Sequence, residues 1–232
     1  MIKIEDLTVC RSCKIAAINS LSLEIEKGAC CAVIGANGAG KTTLLHSIMG
    51  LLQPESGKIY VNSVLVEKHS LSKIRSYAGL VFQNCDDQLF FSTVQEDIAF
   101  GFLNRKVPQQ IAFENVNALM EEYGIMHLAK RPIQNLSDGE KKRVAICSVL
   151  AAEPEVLLLD EPTALLDCKC KRQTADILRS LNKTILMTTH DLEFALNLCS
   201  HCAVLNKGSV AAFGKTKDIL ANKSLLENCG LI

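Results

Sequence analysis

Cys30-Cys31-Ala32-Val33-Ile34-Gly35-Ala36-Asn37-Gly38-Ala39-Gly40-Lys41-Thr42-Thr43 decides the fold of this chain. The apolar run up to Ile34 carries no charge and reads as a strand buried on both faces. The turn after it fits G-x-x-x-x-G-K-T, and Leu44, Leu45, Ile48 and Met49 then make one apolar helical stripe that ends at Gly50. Strand, turn and helix in that order separate a true phosphate-binding loop from a chance match. Gly35, Asn37, Gly38, Ala39 and Gly40 let backbone N–H groups face phosphate oxygens, and the helix start adds the positive end of its dipole. Lys41 reaches the outer phosphates, Thr42 offers a hydroxyl to Mg²⁺, and Thr43 completes the cradle. The expected ligand is therefore a nucleoside triphosphate with its Mg²⁺.

Outward from this loop, other short apolar runs repeat the pattern of a buried strand. Leu80-Val81-Phe82 ends at Gln83, Val156-Leu157-Leu158-Leu159 at Asp160-Glu161, and Ile185-Leu186-Met187 at Thr188-Thr189-His190. Open parallel sheets bind ligands at the carboxyl ends of their strands, so these polar ends belong near the phosphates. Asp160 there is expected to hold Mg²⁺ through water, and the adjacent Glu161 to act as base for an attacking water. By contrast, the alternation from Leu21 through Glu26, and again in Lys58-Ile59-Tyr60-Val61-Asn62, predicts antiparallel strands with one wet face. Between about residues 93 and 152 only helical patterns occur. Thr93 and Glu96 have capping-box spacing, and Ile111, Val116, Leu119, Met120 and Tyr123 line a helix that starts after Pro108 and stops at Gly124. The fold class is α/β, with residues 1–232 as one domain and residues 93–152 as a helical subdomain inserted in it.

Composition narrows the partners. Lysine plus arginine equals aspartate plus glutamate, 25 against 25, so no overall positive field favours nucleic acid. The longest stretch free of Asp, Glu, Lys and Arg is 13 residues, short of the roughly 20 apolar residues of a membrane span. The opening Met-Ile-Lys-Ile-Glu-Asp is too charged for a signal peptide. The expectation is a cytoplasmic protein whose membrane role, if it has one, needs another subunit. Eleven cysteines then read as reduced thiols used as small apolar residues. Cys10-Arg11-Ser12-Cys13 and Cys199-Ser200-His201-Cys202 have metal-ligand spacing, but neither is flanked by knuckle glycines.

Leu136-Ser137-Asp138-Gly139-Glu140, placed between the phosphate loop and Asp160-Glu161, resembles the signature of ATP-binding cassette (ABC) ATPases. The resemblance implies a P-loop ABC nucleotide-binding fold and a mechanism in which each ATP is closed between two cassettes. Ser137 and Gly139 then serve the partner's nucleotide, and Asp167, in Ala164-Leu165-Leu166-Asp167, matches the loop across the two-cassette interface. Gln83 takes the role of sensor of Mg²⁺ and water, His190 that of the switch histidine at the terminal phosphate, and Glu161-Pro162-Thr163 matches the family's acidic motif. The run Val81-Phe82-Gln83-Asn84-Cys85-Asp86-Asp87-Gln88-Leu89-Phe90, with Glu96-Asp97-Ile98-Ala99-Phe100-Gly101 and Glu140-Lys141-Lys142-Arg143-Val144-Ala145-Ile146, is similar to the ATPases of energy-coupling-factor importers. The tail Leu225-Leu226-Glu227-Asn228-Cys229-Gly230-Leu231 is similar to their cobalt and nickel branch. That family implies ATP hydrolysis driving uptake of cobalt or nickel ion or a vitamin. The partners it implies are a second ABC ATPase, identical or homologous, and integral membrane coupling and substrate-binding subunits, at the cytoplasmic face of the membrane. The alternatives are an ABC ATPase of another transporter class or a non-transport one.

The sequence departs from the family at three kinds of position. Arg11 stands where an aromatic usually stacks on adenine, and Cys85 and Cys168 stand where proline is frequent. Asp138 replaces the signature's first glycine. Two unit charges about 4 Å apart repel by roughly 4 kcal/mol at an effective dielectric of 20, so the expectation is that Asp138 lies off the phosphate line. Asp138→Gly should then leave ATP turnover within an order of magnitude of the parent; a rise by several orders would place the aspartate on that line.

Overall fold

The computed structural model describes residues 1–10 and 16–232. Strands β1 (Ile2–Cys10), β2 (Ala16–Ile25) and β3 (Cys30–Ile34) lead into helix α1 (Lys41–Ile48). Strands β4 (Ser56–Val61) and β5 (Val64–Leu65), helix α2 (Leu71–Tyr77) and β6 (Ala78–Val81) follow. Helices α3 (Val94–Asn104), α4 (Gln109–Glu122) and α5 (Asp138–Leu150) precede β7 (Val156–Asp160), α6 (Cys168–Ser180), β8 (Thr184–Thr189) and α7 (Leu192–Leu198). The chain closes with β9 (His201–Asn206), β10 (Ser209–Lys215), α8 (Thr216–Ala221) and α9 (Lys223–Asn228).

Two compact units result. The first comprises Met1–Leu80, Glu155–Glu161 and Asn182–Ile232; the second comprises Val81–Pro154 and Pro162–Leu181.

The first unit contains both kinds of sheet expected from the two apolar patterns. Alternating residues make a four-stranded antiparallel sheet of order β2-β1-β4-β5, with Leu21, Leu23 and Ile25 buried and Ser22 and Glu24 exposed. The continuous runs supply the interior of a second sheet of order β10-β9-β3-β8-β7-β6, where β3, β7 and β8 are parallel. Register then does the functional work: Ile34 pairs with Thr189 and Asp160 with Thr188. The phosphate loop, Asp160-Glu161 and His190 thus leave the sheet together at the carboxyl ends of β3, β7 and β8. The β9–β10 hairpin extends the sheet through a tight turn in which Lys207 (φ 47°) and Gly208 (φ 83°) both take positive φ, the conformation that matches the twist of the flanking strands.

In the second unit, α3 packs against α4 and α5. A Cβ at Gly101 would meet the Ala151 side chain at 2.7 Å, so the glycine permits the close approach of α3 to α5. Thr93 and Glu96 form the expected capping box, with Thr93 N–H donating to Glu96 Oε2 at 3.0 Å. Asp97 on the same helix is buried and accepts from Phe90 N–H (3.0 Å), Phe91 N–H (3.2 Å) and Ser148 Oγ (2.9 Å). Its removal leaves those donors without their acceptor. Asp97→Ala should therefore destabilise the protein by about 3 kcal/mol, from a lost charge-assisted network and stranded donors; urea unfolding measures it, and a loss below about 0.5 kcal/mol would deny Asp97 that role.

Candidate active site

The geometry of the first unit converges on Glu161. Gly40, the N-cap of α1, has φ 107°, and a Cβ there would run into the Ala17 carbonyl oxygen, so only glycine closes the loop at that point. The hairpin turn braces the loop from outside, Gly208 N–H donating to Ala39 O at 3.0 Å. Lys41, only 7% exposed, donates from Nζ to Gly35 O (2.7 Å) and Ala36 O (3.4 Å) and pairs with Glu161 Oε1 at 3.2 Å. Thr42 is half-buried and Thr43 fully buried on the first turn of α1.

Glu161 takes a left-handed backbone conformation, φ 44°, rare for a non-glycine residue. Two bonds hold it there: its N–H donates to Thr188 O at 3.1 Å and to Thr188 Oγ1 at 3.2 Å. The turn delivers the carboxylate to Lys41 on one oxygen and to His190 on the other. Oε2 lies 2.8 Å from His190 Nδ1 and accepts from His190 N–H at 3.2 Å. Strain at a residue so placed is the usual mark of a working site. Asp160, buried at the end of β7, accepts from Thr188 Oγ1 at 2.5 Å. Lys41, Thr42, Asp160, Glu161 and His190 therefore stand in one unit as a cation, a hydroxyl, two carboxylates and an imidazole. His190 is the exposed member, at 65% of its side chain.

The second unit holds the remaining sequence-predicted residues. Ser137 caps α5 through a full capping box: its N–H donates to Glu140 Oε2 at 2.8 Å, and its hydroxyl lies 2.9 Å from the same oxygen. The Ser137 N–H bond, and then Arg131 at 2.8 Å, hold the Glu140 carboxyl below the usual glutamate range. Gly139 is buried, and a Cβ there would overlap the Cys170 thiol, so its glycine is required by packing as well as by any phosphate contact. Asp167 caps α6 by accepting from Cys170 N–H at 2.7 Å, which lowers its pKa. Asp138 is exposed as the first residue of α5, and Gln83 is exposed beyond β6. Arg11 and Cys13 lie outside the described residues, so the adenine contact and the first cysteine pair have no geometry here.

A profile for the family described as ABC transporter matches residues 18–164, a span that contains the phosphate loop, the signature and the acidic strand end. The chain belongs to the ABC transporter ATPases. The energy-coupling factor transporter ATP-binding protein EcfA1 of Mycoplasmopsis pulmonis is 38% identical over 232 residues, 98% of this chain and 87% of the relative. The solved structure of cbiO1 from Clostridium perfringens, part of the ABC transporter complex cbiONQ, is 35% identical, with TM-score 0.86 over 99% of this chain and 94% of that one. The ATP-binding cassette MJ0796, solved as a dimer in a post-hydrolysis state with ADP and Pi, is 26% identical, with TM-score 0.84 over 93% and 99%.

The chain carries eleven cysteines. Among the described residues ten are free thiols, and no group of three or more metal-binding side chains gathers. Burial pushes the Cys147 and Cys202 thiols up to about 12, which keeps them protonated apolar residues near neutral pH. Cys199 ends α7 and Cys202 sits within β9, with Cys199 Sγ 3.4 Å from Cys30 Sγ. Two residues of this ATPase escape sequence reading. Thr188 positions both Asp160 and Glu161, and its signal was the polar end of an apolar strand. Lys142, buried on α5, had none, because it sits in the charged run Lys141-Lys142-Arg143.

Proposed function

We propose that this ATPase powers an importer of the energy-coupling-factor type, for cobalt or nickel ion or a vitamin, as one of two cassettes under integral membrane subunits. The likeness to EcfA1 and to cbiO1 over nearly all of this chain carries the reading. An apolar surface on the second unit agrees with it: Phe90 is 69% exposed, Phe100 43% and Leu103 40%, with the Phe90 and Phe100 rings 5.5 Å apart. Exposed aromatics in contact mark interaction surfaces. It includes Phe90, at the end of the Asp86–Phe90 segment, through which in this reading motion passes to the membrane partner. Among the described residues no helix is long and apolar enough to cross a membrane; in this reading the translocation path is supplied by the membrane subunits.

In the proposed cycle, Lys41 and the amides of residues 35–40 bind ATP. Thr42 and Asp160, with Gln83, present oxygen donors of the kind Mg²⁺ prefers, and the ion when bound neutralises phosphate charge. Ser137 and Gly139 of a second cassette, with Asp167 at the interface, complete each site. Glu161 takes the proton of the attacking water, and His190 holds the terminal phosphate. Hydrolysis then lets the cassettes part. The dimeric form of MJ0796 supports the pairing. The experiment is affinity purification from membranes of cells expressing the tagged chain, then uptake of labelled cobalt, nickel or vitamin by the reconstituted complex. Stoichiometric integral membrane proteins and ATP-dependent uptake are expected; recovery with ribosomes or DNA, and none with membrane proteins, would overturn the importer reading.

A further inference from the structure

Lys142 is 2% exposed, yet it carries a polar amine into the second unit. Burying an ammonium is costly unless its donors are satisfied. Among the described residues no carboxylate pairs with it. Its Nζ donates instead to Phe82 O at 3.0 Å and Gln83 O at 2.9 Å, with the buried Cys85 thiol as a further neighbour. Those carbonyls belong to a loop whose other groups are tied locally: Phe82 N–H donates to Gln88 Oε1 at 3.0 Å, and Asp86 N–H to Asn84 Oδ1 at 3.1 Å.

Three points on α5 fasten this loop. Lys141 pairs with Asp86 at 2.6 Å, Ala145 O accepts from Gln88 Nε2 at 3.2 Å, and Lys142 takes the carbonyls. The Lys141 pair is half open to water at Asp86 and contributes little on that account. Of the three, only Lys142 bonds to the backbone of Gln83. The Gln83 side chain is exposed and makes no hydrogen bond among the described residues, so its backbone determines where its amide starts from. The helix that supplies Lys142 begins at the Ser137 cap, five residues earlier.

We propose that Lys142 is a positioning residue for hydrolysis: its buried ammonium fixes the backbone at Phe82 and Gln83, and so couples the Gln83 amide to the helix that begins at the signature. The inference rests on the reading of Gln83 as the amide that senses Mg²⁺ and water. Misplacing such a group by about an ångström costs up to about a hundred-fold in rate.

The test is a double-mutant cycle on the intact chain, with Gln83→Ala, Lys142→Met and the combination, reading single-turnover hydrolysis at saturating ATP, the Mg²⁺ concentration for half-maximal rate, and ATP affinity. Lys142→Gln, which keeps a donor, replaces Lys142→Met if the latter does not fold. Lys142→Met is expected to leave ATP affinity within about two-fold, because the phosphate loop lies in the other unit. It should lower the rate about ten- to a hundred-fold and raise the Mg²⁺ requirement as Gln83→Ala does, and the double variant should be no worse than Gln83→Ala alone. A damaging Gln83→Ala with a silent Lys142→Met, or with losses that multiply in the double variant, overturns the positioning role alone. A silent Gln83→Ala overturns the sensor reading and the inference with it.

Discussion

Glu161→Gln is expected to bind ATP but to turn it over about a thousand-fold more slowly, within the range of a general base removed from its proton. The substitution keeps size and shape, so the left-handed turn at Glu161 and its bonds to Thr188 stay in place. What changes is the pair of oxygens, one facing Lys41 at 3.2 Å and the other His190 Nδ1 at 2.8 Å. An amide has one oxygen to offer, cannot take a proton from water, and must turn its NH₂ toward either the ammonium or the imidazole. Hydrolysis is then slower than the binding steps, and ATP-bound pairs accumulate. Size-exclusion chromatography with MgATP should show the dimer, and with MgADP the monomer, while released phosphate gives the rate. Turnover at the parental rate would remove Glu161 from the chemistry.

Lys41→Ala should lower ATP affinity by at least about a hundred-fold. Two charge-assisted hydrogen bonds to phosphate oxygens, at about 1.5–3 kcal/mol each, account for that loss. The geometry adds a second effect, on the folded protein itself. Lys41 is the cation beside the buried Glu161 carboxylate, and breaking a buried pair by removing one partner is costly. Lys41→Ala should therefore also unfold at lower denaturant, and Glu161→Gln in the same chain should restore much of the lost stability without restoring binding. Equilibrium titration with a fluorescent ATP analogue and urea unfolding separate the two effects. Affinity within three-fold of the parent would show that the loop amides alone hold the phosphates.

The elements legible in the sequence are those whose signal is local. The helix bounded by Pro108 and Gly124 is α4, because a fixed proline φ and a glycine at positive φ act within a few residues. The capping boxes at Thr93 and Ser137 formed for the same reason: donor and acceptor lie three residues apart. Continuous apolar runs became the parallel strands β3, β7 and β8, since only burial on both faces tolerates them. The 93–152 stretch holds α3, α4 and α5 as expected, but the unit they belong to also takes in residues 81–92 and α6, joined by contacts far apart in the chain.

By itself, then, the sequence determined the phosphate loop, the acidic strand end and the signature, because each is a contiguous motif whose chemistry is written in neighbouring residues. Tertiary structure alone decided that Glu161 lies between Lys41 and His190, a contact among residues 120 and 29 positions apart that depends on the register of β3, β8 and β7. It alone turned Lys142 inward, since nothing in Lys141-Lys142-Arg143 distinguishes a surface cation from one whose donors are taken by the carbonyls of Phe82 and Gln83. Local order follows from local sterics and hydrogen bonding; a buried charge finds its partners only when distant segments pack.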